Sequence, residues 1–254
     1  MKERKIEVIK HPFPMVEPDV VVAPRPEAAL REVLLQDAGG FFVPLEVGAE
    51  VKWSFYDWPE RALTNVSYTR VIGTAKYRGE ECLDVVDQLI FPEEEQWTGR
   101  WLMAKSDAGL RHLLFESRKS STHTKIEEVD ASPFPVHLRL GDAWEGHEVF
   151  RCGSEARGEG QVHHGVIDGC FDVSLPAGRK LCLRETLWIL DADGRGLTLA
   201  ELYVADSGRS VYWRRFNGPA YHNYDQLVET PSREHAGTLW RLYYDCLPDI
   251  SLAR

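Results

Sequence analysis

The same three signals occur twice in this chain, in the same order and roughly 90 to 100 residues apart, and self-similarity at a fixed period marks a duplicated structural unit. The first copy runs from Phe42-Val-Pro-Leu-Glu-Val-Gly48, with Trp53 behind it, through Gly79-Glu-Glu-Cys82-Leu83 to Trp101-Leu-Met-Ala104, with Gly109 beyond. The second runs from Phe134-Pro-Val-His-Leu-Arg-Leu-Gly141, with Trp144, through Gly178-Arg-Lys-Leu-Cys182-Leu183 to Leu202-Tyr-Val-Ala205, with Gly208 beyond. Spacings within the copies differ only by small insertions of a size that turns absorb. Two copies of one β unit are expected.

From Phe41 onward, short runs rich in Val, Tyr, Trp, Phe and Thr alternate with Gly, Asp-Gly and Pro breaks, the pattern of an antiparallel meander. Asp191-Ala-Asp-Gly-Arg-Gly196 has the composition of a hairpin loop between two such runs. Upstream, Pro12, Pro14, Pro18, Pro24 and Pro26 favour an extended arm that wraps the body or a partner. Residues 26–37 are good helix formers with proline in the first turn and Gly39-Gly40 as the stop, which predicts a helix. The expected fold is mainly β: a large curved antiparallel sheet or half-barrel made of two similar units, with one N-terminal helix and few others. The expected divisions are 1–40 (arm and helix), 41–130 and 131–218 (the β units) and 219–254 (an aromatic tail), together one compact domain. In the tail, a short helix near 231–237 and a closing strand near 238–244 are expected.

With 254 residues, 43% of them hydrophobic, the chain can bury a substantial core. Its formal net charge of −10 and the lack of any long Lys/Arg cluster disfavour a nucleic-acid partner, because phosphate binding needs grouped cations. The charged start, Met1-Lys-Glu-Arg-Lys-Ile6, lacks the apolar stretch of a signal peptide, and no run approaches the ~20 apolar residues of a membrane span. The expectation is a cytoplasmic protein. Five cysteines without a Cys-x-x-Cys pair signal neither a disulfide framework nor a zinc ribbon. Cys82 and Cys182, in matched apolar contexts, read as small buried hydrophobes rather than thiolates.

The glycine and tryptophan signature, the Leu175-Pro-Ala-Gly178 turn into Cys182-Leu183, and Tyr203-Val-Ala205 with a following Gly208 and Val211 resemble bacterial β proteins with a half-open barrel. Lol-type lipoprotein carriers are the best-known members of that architecture, and an enzyme of violacein biosynthesis uses it for chemistry. The resemblance spans about residues 41–216 and implies an antiparallel sheet curled around a cavity. It speaks to fold more than to function.

Strand alternation assigns faces. Leu181, Leu183, Leu187 and Ile189 share one side, with Glu185 as the exception, and Cys182, Arg184, Thr186 and Trp188 share the other. On the next strand Ala200, Leu202 and Val204 oppose Glu201 and Tyr203. Pairing across the hairpin would place Arg184, Trp188, Glu201 and Tyr203 on one surface, extended by Tyr212 and Arg214, or by Trp213 and Arg215. Aromatic area with a few fixed polar groups suits a flat or amphipathic small molecule, and the alternative is a solvated face of cross-strand Arg/Glu pairs. The ligand-binding set is Arg184, Trp188, Tyr203, Tyr212 and Arg214, with Trp101 added from the first copy. Among nine histidines there is no metal-ligand spacing, and His163 and His164 must point to opposite sides of a strand, so only one of them can meet His147. A histidine beside an aromatic pocket is the economical general base, which makes His147, His163 and Glu201 the catalytic candidates.

Three functions follow from these features. One is a cofactor-independent enzyme, a cyclase, isomerase or lyase, acting on a small aromatic or polyketide-like molecule with acid/base help and no metal. A second is a non-catalytic binder or carrier for a hydrophobic small molecule. The third is a scaffold whose arm docks on a partner or forms a homodimer.

Overall fold

A computed structural model describes residues 19–26, 29–38, 43–56, 61–90, 97–119, 123–152, 160–176, 178–191, 196–217 and 239–243. Four short strands come first: β1 (Val21–Pro24), β2 (Glu32–Leu34), β3 (Asp37–Ala38) and β4 (Val43–Pro44). The first half continues with β5 (Glu50–Tyr56), β6 (Leu63–Tyr77), β7 (Glu80–Ile90), β8 (Trp97–Ser106), β9 (Gly109–Lys119) and β10 (His123–Ala131). After the short β11 (His137–Arg139) come β12 (Ala143–Cys152), β13 (Gly160–Leu175), β14 (Gly178–Asp191), β15 (Gly196–Ala205) and β16 (Ser210–Asn217). The last strand, β17 (Leu239–Tyr243), is the closing strand expected near 238–244. The helix expected near 231–237 lies outside the described residues.

Thirteen strands form one antiparallel sheet in the order β1-β13-β12-β10-β9-β8-β7-β6-β5-β17-β16-β15-β14, and β14 also pairs with β13. The sheet therefore curls. Its two halves meet where β10 pairs with β12 and where β17 lies between β5 and β16. Neighbours along the chain are neighbours in the sheet almost throughout, as short connections favour. The mainly β, curved antiparallel architecture expected from the sequence is the one present.

The two sets of repeated signals adopt matched geometry. Gly48 N–H donates to Val71 O at 2.8 Å while Val71 N–H donates to Ala49 O at 3.1 Å. Gly141 N–H donates to Ile167 O at 2.8 Å while Ile167 N–H donates to Asp142 O at 2.9 Å. Each of these bonds lies at a register shift, Val71/Gly73 in one half and Ile167/Gly169 in the other. Gly48 and Gly141 have φ values of 87° and 95°, a left-handed conformation that a side chain would strain. Cys82 pairs with Ala104, and Cys182 with Ala205, and each thiol points at the carbonyl two residues before it. Both thiols are buried, and burial pushes Cys182 up to about 12, so it packs as a hydrophobe.

The helix expected over 26–37 is absent from the described part of that segment. Val33, Leu35 and Asp37 are buried while Leu34 is 60% exposed, an alternation with period two rather than 3.6. β2 pairs with β11, and Leu35 N–H donates to Val136 O at 2.7 Å. Val33 and Leu35 enter a cluster with Leu138, Ile167, Leu183 and Val204. Burial of these two side chains outweighs a helix propensity of a few tenths of a kcal/mol per residue. The described end of the proline-rich arm pairs as β1 with the chain's own β13.

The short segments around β2, β4 and β11 cover one face of the sheet, called here the capped face. Val136 touches both apolar clusters under that cover, one built on Ile167, Leu183 and Val204 and the other on Val71, Val85, Met103 and Leu110. Val51, Trp53, Leu187, Ala200 and Leu202 continue the same face. The second face carries its own cluster, with Val66, Val173, Cys182, Tyr203 and Tyr212. Among the described residues no helix is long and apolar enough to cross a membrane.

Candidate functional site

β14 and β15 pair across the 191–196 hairpin so that Arg184 faces Tyr203 and Thr186 faces Glu201. On β16, Tyr212 pairs with Tyr203 and Arg214 with Glu201. The second face thus gathers Arg184, Glu201, Tyr203, Tyr212 and Arg214, and of the two alternatives on β16 it takes Tyr212 and Arg214. Trp188 stands further along β14, packed on Leu199.

These groups bind one another. Glu201 is almost fully buried, with Arg184 Nη1 3.5 Å from one carboxylate oxygen and Arg214 Nη1 3.6 Å from the other. Tyr203 donates its hydroxyl proton to Glu201 at 3.1 Å. Arg184 also donates two bonds to Asp168, at 2.7 and 3.0 Å, and lies over the Phe171 ring at 4.4 Å. Burial, and the Glu201 charge beside it, push the Tyr203 hydroxyl above its ordinary pKa, so it stays protonated. Opposite charges neutralise each other in pairs here.

The catalytic candidates do not converge. His147 is exposed in the middle of β12, with Nδ1 2.7 Å from Ser132 Oγ. His163 is buried on the capped face, where it pairs with Gly146, while Glu201 belongs to the second face. His164 sits opposite Glu145, with Nδ1 3.3 Å from its carboxylate, so the two adjacent histidines do point to opposite faces.

A different constellation is built on the capped face. Trp144 lies flat across Gly165, where an added Cβ would come within 2.0 Å of its Nε1, and Gly146 is a second bare position beneath the ring. Its indole N–H donates to Glu185 Oε1 at 2.6 Å. Burial pushes the Glu185 carboxyl up to about 7, partly offset by that bond. Phe134 meets Trp144 edge-on at 5.3 Å and reaches His163 at 5.5 Å. Farther round the sheet, His112 Nδ1 lies 2.8 Å from Glu148 Oε1, both residues being buried. Trp101 stacks on His112 at 4.6 Å and on Phe115 at 3.8 Å. Burial lowers the pKa of His163, with Glu148 pulling the other way, so its imidazole is neutral near pH 7.

Of the residues proposed from sequence, His163 and Trp101 belong to this capped-face group. His112, Glu148, Trp144 and Glu185 were not among them. Glu185 was legible as the one charge in an apolar stripe. His112 carried no such mark, because its partner lies on a strand 36 residues away. Among the described residues no group of three or more His, Cys, Asp or Glu side chains is placed to hold a metal ion.

No protein-family model and no curated protein matches the chain. Two solved structures are similar to it over 80% of its length. One is a candidate exported protein with a YmcC-like fold from Bacteroides fragilis, 13% identical, covered over 97% of its own length, with a TM-score of 0.45. The other is a candidate lipoprotein from Parabacteroides distasonis, 8% identical, covered over 96%, with a TM-score of 0.41. Neither description is that of a cytoplasmic protein, and the cytoplasmic expectation drawn from the sequence is corrected on that ground and dropped.

Proposed function

We propose that this protein binds a small aromatic or hydrophobic molecule against the capped face, in the manner of the half-barrel carriers its sequence resembles. The observation that carries the reading is the way two indoles are held. Trp144 is clamped on glycine backbone and tied to Glu185, and Trp101 is stacked on a histidine that Glu148 fixes. Yet both rings remain partly exposed. Rigid aromatic surface that is ordered but not fully covered binds a ring at little entropic cost.

The neutral fluorescent probe N-phenyl-1-naphthylamine tests this. It should brighten and shift to the blue on titration with the protein, and Trp101→Ala should weaken binding about tenfold, the usual consequence of removing an aromatic anchor. A probe signal unaffected by the protein, or equal in the variant with the fold preserved by circular dichroism, defeats the reading.

A second reading, the cofactor-independent cyclase, isomerase or lyase, is favoured by Glu185. A carboxyl titrating near 7 is suited to exchange a proton with a bound substrate. Loss of turnover with retained probe binding in Glu185→Gln is its signature.

A further inference from the structure

The character of the polar groups on the capped face narrows the ligand, on the assumption that the face binds aromatic molecules as proposed above. His163 is 4% exposed, and its Nδ1 is a buried atom with no hydrogen-bond partner. Its Nε2 lies 3.4 Å from Gln161 Oε1, an oxygen that only accepts, so Nε2 carries the ring proton and Nδ1 presents a lone pair. An unmet acceptor in such a place costs about 1–3 kcal/mol. Its complement is a ligand that donates a hydrogen.

The surrounding charge has one sign. Among the described residues, every buried Asp, Glu, His, Lys or Arg side chain is an acid or a histidine: Glu148, His112, His163 and Glu185 on the capped face, and Asp37, Asp172 and Glu201 elsewhere. Glu148 lies close enough to His163 to favour its charged form. Aromatic faces reinforce the preference, because the negative face of an indole or phenyl ring attracts a cation within about 6 Å. Trp101 stacks on His112, and Phe134 stands 5.5 Å from His163. An anionic ligand would meet Glu148 and find no buried lysine or arginine among the described side chains.

We propose that the ligand is an arylalkylamine, a cation at neutral pH, its ring laid against Trp101 and Phe134 and its ammonium N–H donated to His163 Nδ1 beside the Glu148 carboxylate. The His112–Glu148 contact holds that carboxylate in place and leaves the imidazole acceptor to the guest.

The test is displacement of N-phenyl-1-naphthylamine from the full chain at pH 7.5 by three naphthalenes of matched length: 2-(1-naphthyl)ethylamine, 2-(1-naphthyl)ethanol and 3-(1-naphthyl)propionate. The amine should displace the probe at a concentration at least tenfold below the propionate, with the alcohol between them. His163→Phe keeps the ring volume and removes the acceptor, so it should reduce the amine's advantage over the propionate at least fivefold, each competitor being scored against the probe affinity measured for that variant. A propionate that competes as well as the amine overturns the inference and leaves small-molecule binding intact. An amine advantage undiminished in a folded His163→Phe overturns the part assigned to His163. A probe that never binds overturns both readings.

Discussion

Asp84 and Arg184 occupy equivalent places, each two residues beyond the matched cysteine of its half and on the same face of the sheet, yet they carry opposite charges. The inversion extends through their neighbours. Asp84 takes two bonds from Arg100 at 2.8 Å, and Arg100 Nη1 is 3.7 Å from Glu116, its cross-strand partner. In the other half Arg184 and Arg214 flank Glu201, and Arg214 is the cross-strand partner of Glu201. An acid–base–acid row in one unit is thus a base–acid–base row in the other.

The two rows differ in burial, and that difference predicts their energetics. Arg100 is 41% exposed, whereas the Glu201 side chain is 2% exposed. Arg100→Ala should cost less than about 1 kcal/mol, as exposed pairs do. Glu201→Gln leaves two guanidiniums facing each other and should cost about 2–3 kcal/mol, below the full value for a buried pair because both arginines keep some water. Urea denaturation of the two variants measures both, and equal losses would contradict the distinction.

Glu185 makes stability depend on pH. The folded carboxyl holds its proton to about pH 7, whereas an unburied one loses it near 4.5. Between those values the unfolded chain is ionised and the fold is not, so the contribution is fullest below pH 4.5 and is lost as pH rises through 7. The loss is on the order of 3 kcal/mol. The melting temperature of the native protein, measured against that of Glu185→Gln, should therefore fall from pH 5 to pH 8, and a constant difference would refute the assignment.

Gly165 supports Trp144 by having no side chain. A Cβ there would come within 2.0 Å of the indole, while the same addition at Gly73 meets nothing within 4 Å. Gly165→Ala should push the ring off Glu185, cost about 1–3 kcal/mol as overpacking does, and alter the tryptophan emission. Gly73→Ala should leave the emission unchanged.

Asp37 ties the N-terminal segment to the start of β16. Ser210 donates to it twice, from N–H at 2.9 Å and from Oγ at 2.8 Å, and all three groups are buried. Asp37→Ala strands both donors and should cost about 2–4 kcal/mol by chemical denaturation. Asp37→Asn, which keeps one acceptor, should cost less.

Much of this architecture was legible from residue pattern. The repeat located the matched glycines and cysteines, and alternation on residues 181–189 and 199–205 put Arg184, Glu201 and Tyr203 on one surface. Residues 26–37 misled because their helix-forming composition hid the alternation of Val33 and Leu35, which only the pairing with β11 reveals. The capped-face group was hidden for a related reason: His112 and Glu148, or Trp144 and Glu185, are far apart in sequence and meet only through sheet curvature and register.

The position of β17 has a consequence for synthesis. Both of its neighbours, β5 and β16, are made before residues 239–243 leave the ribosome, and until then each presents an unsatisfied backbone edge to solvent. A nascent chain stalled short of that point, or a truncation just upstream of Leu239, would expose two sticky seams at once. Such a product should aggregate, even though nearly every other strand of the protein is already in place.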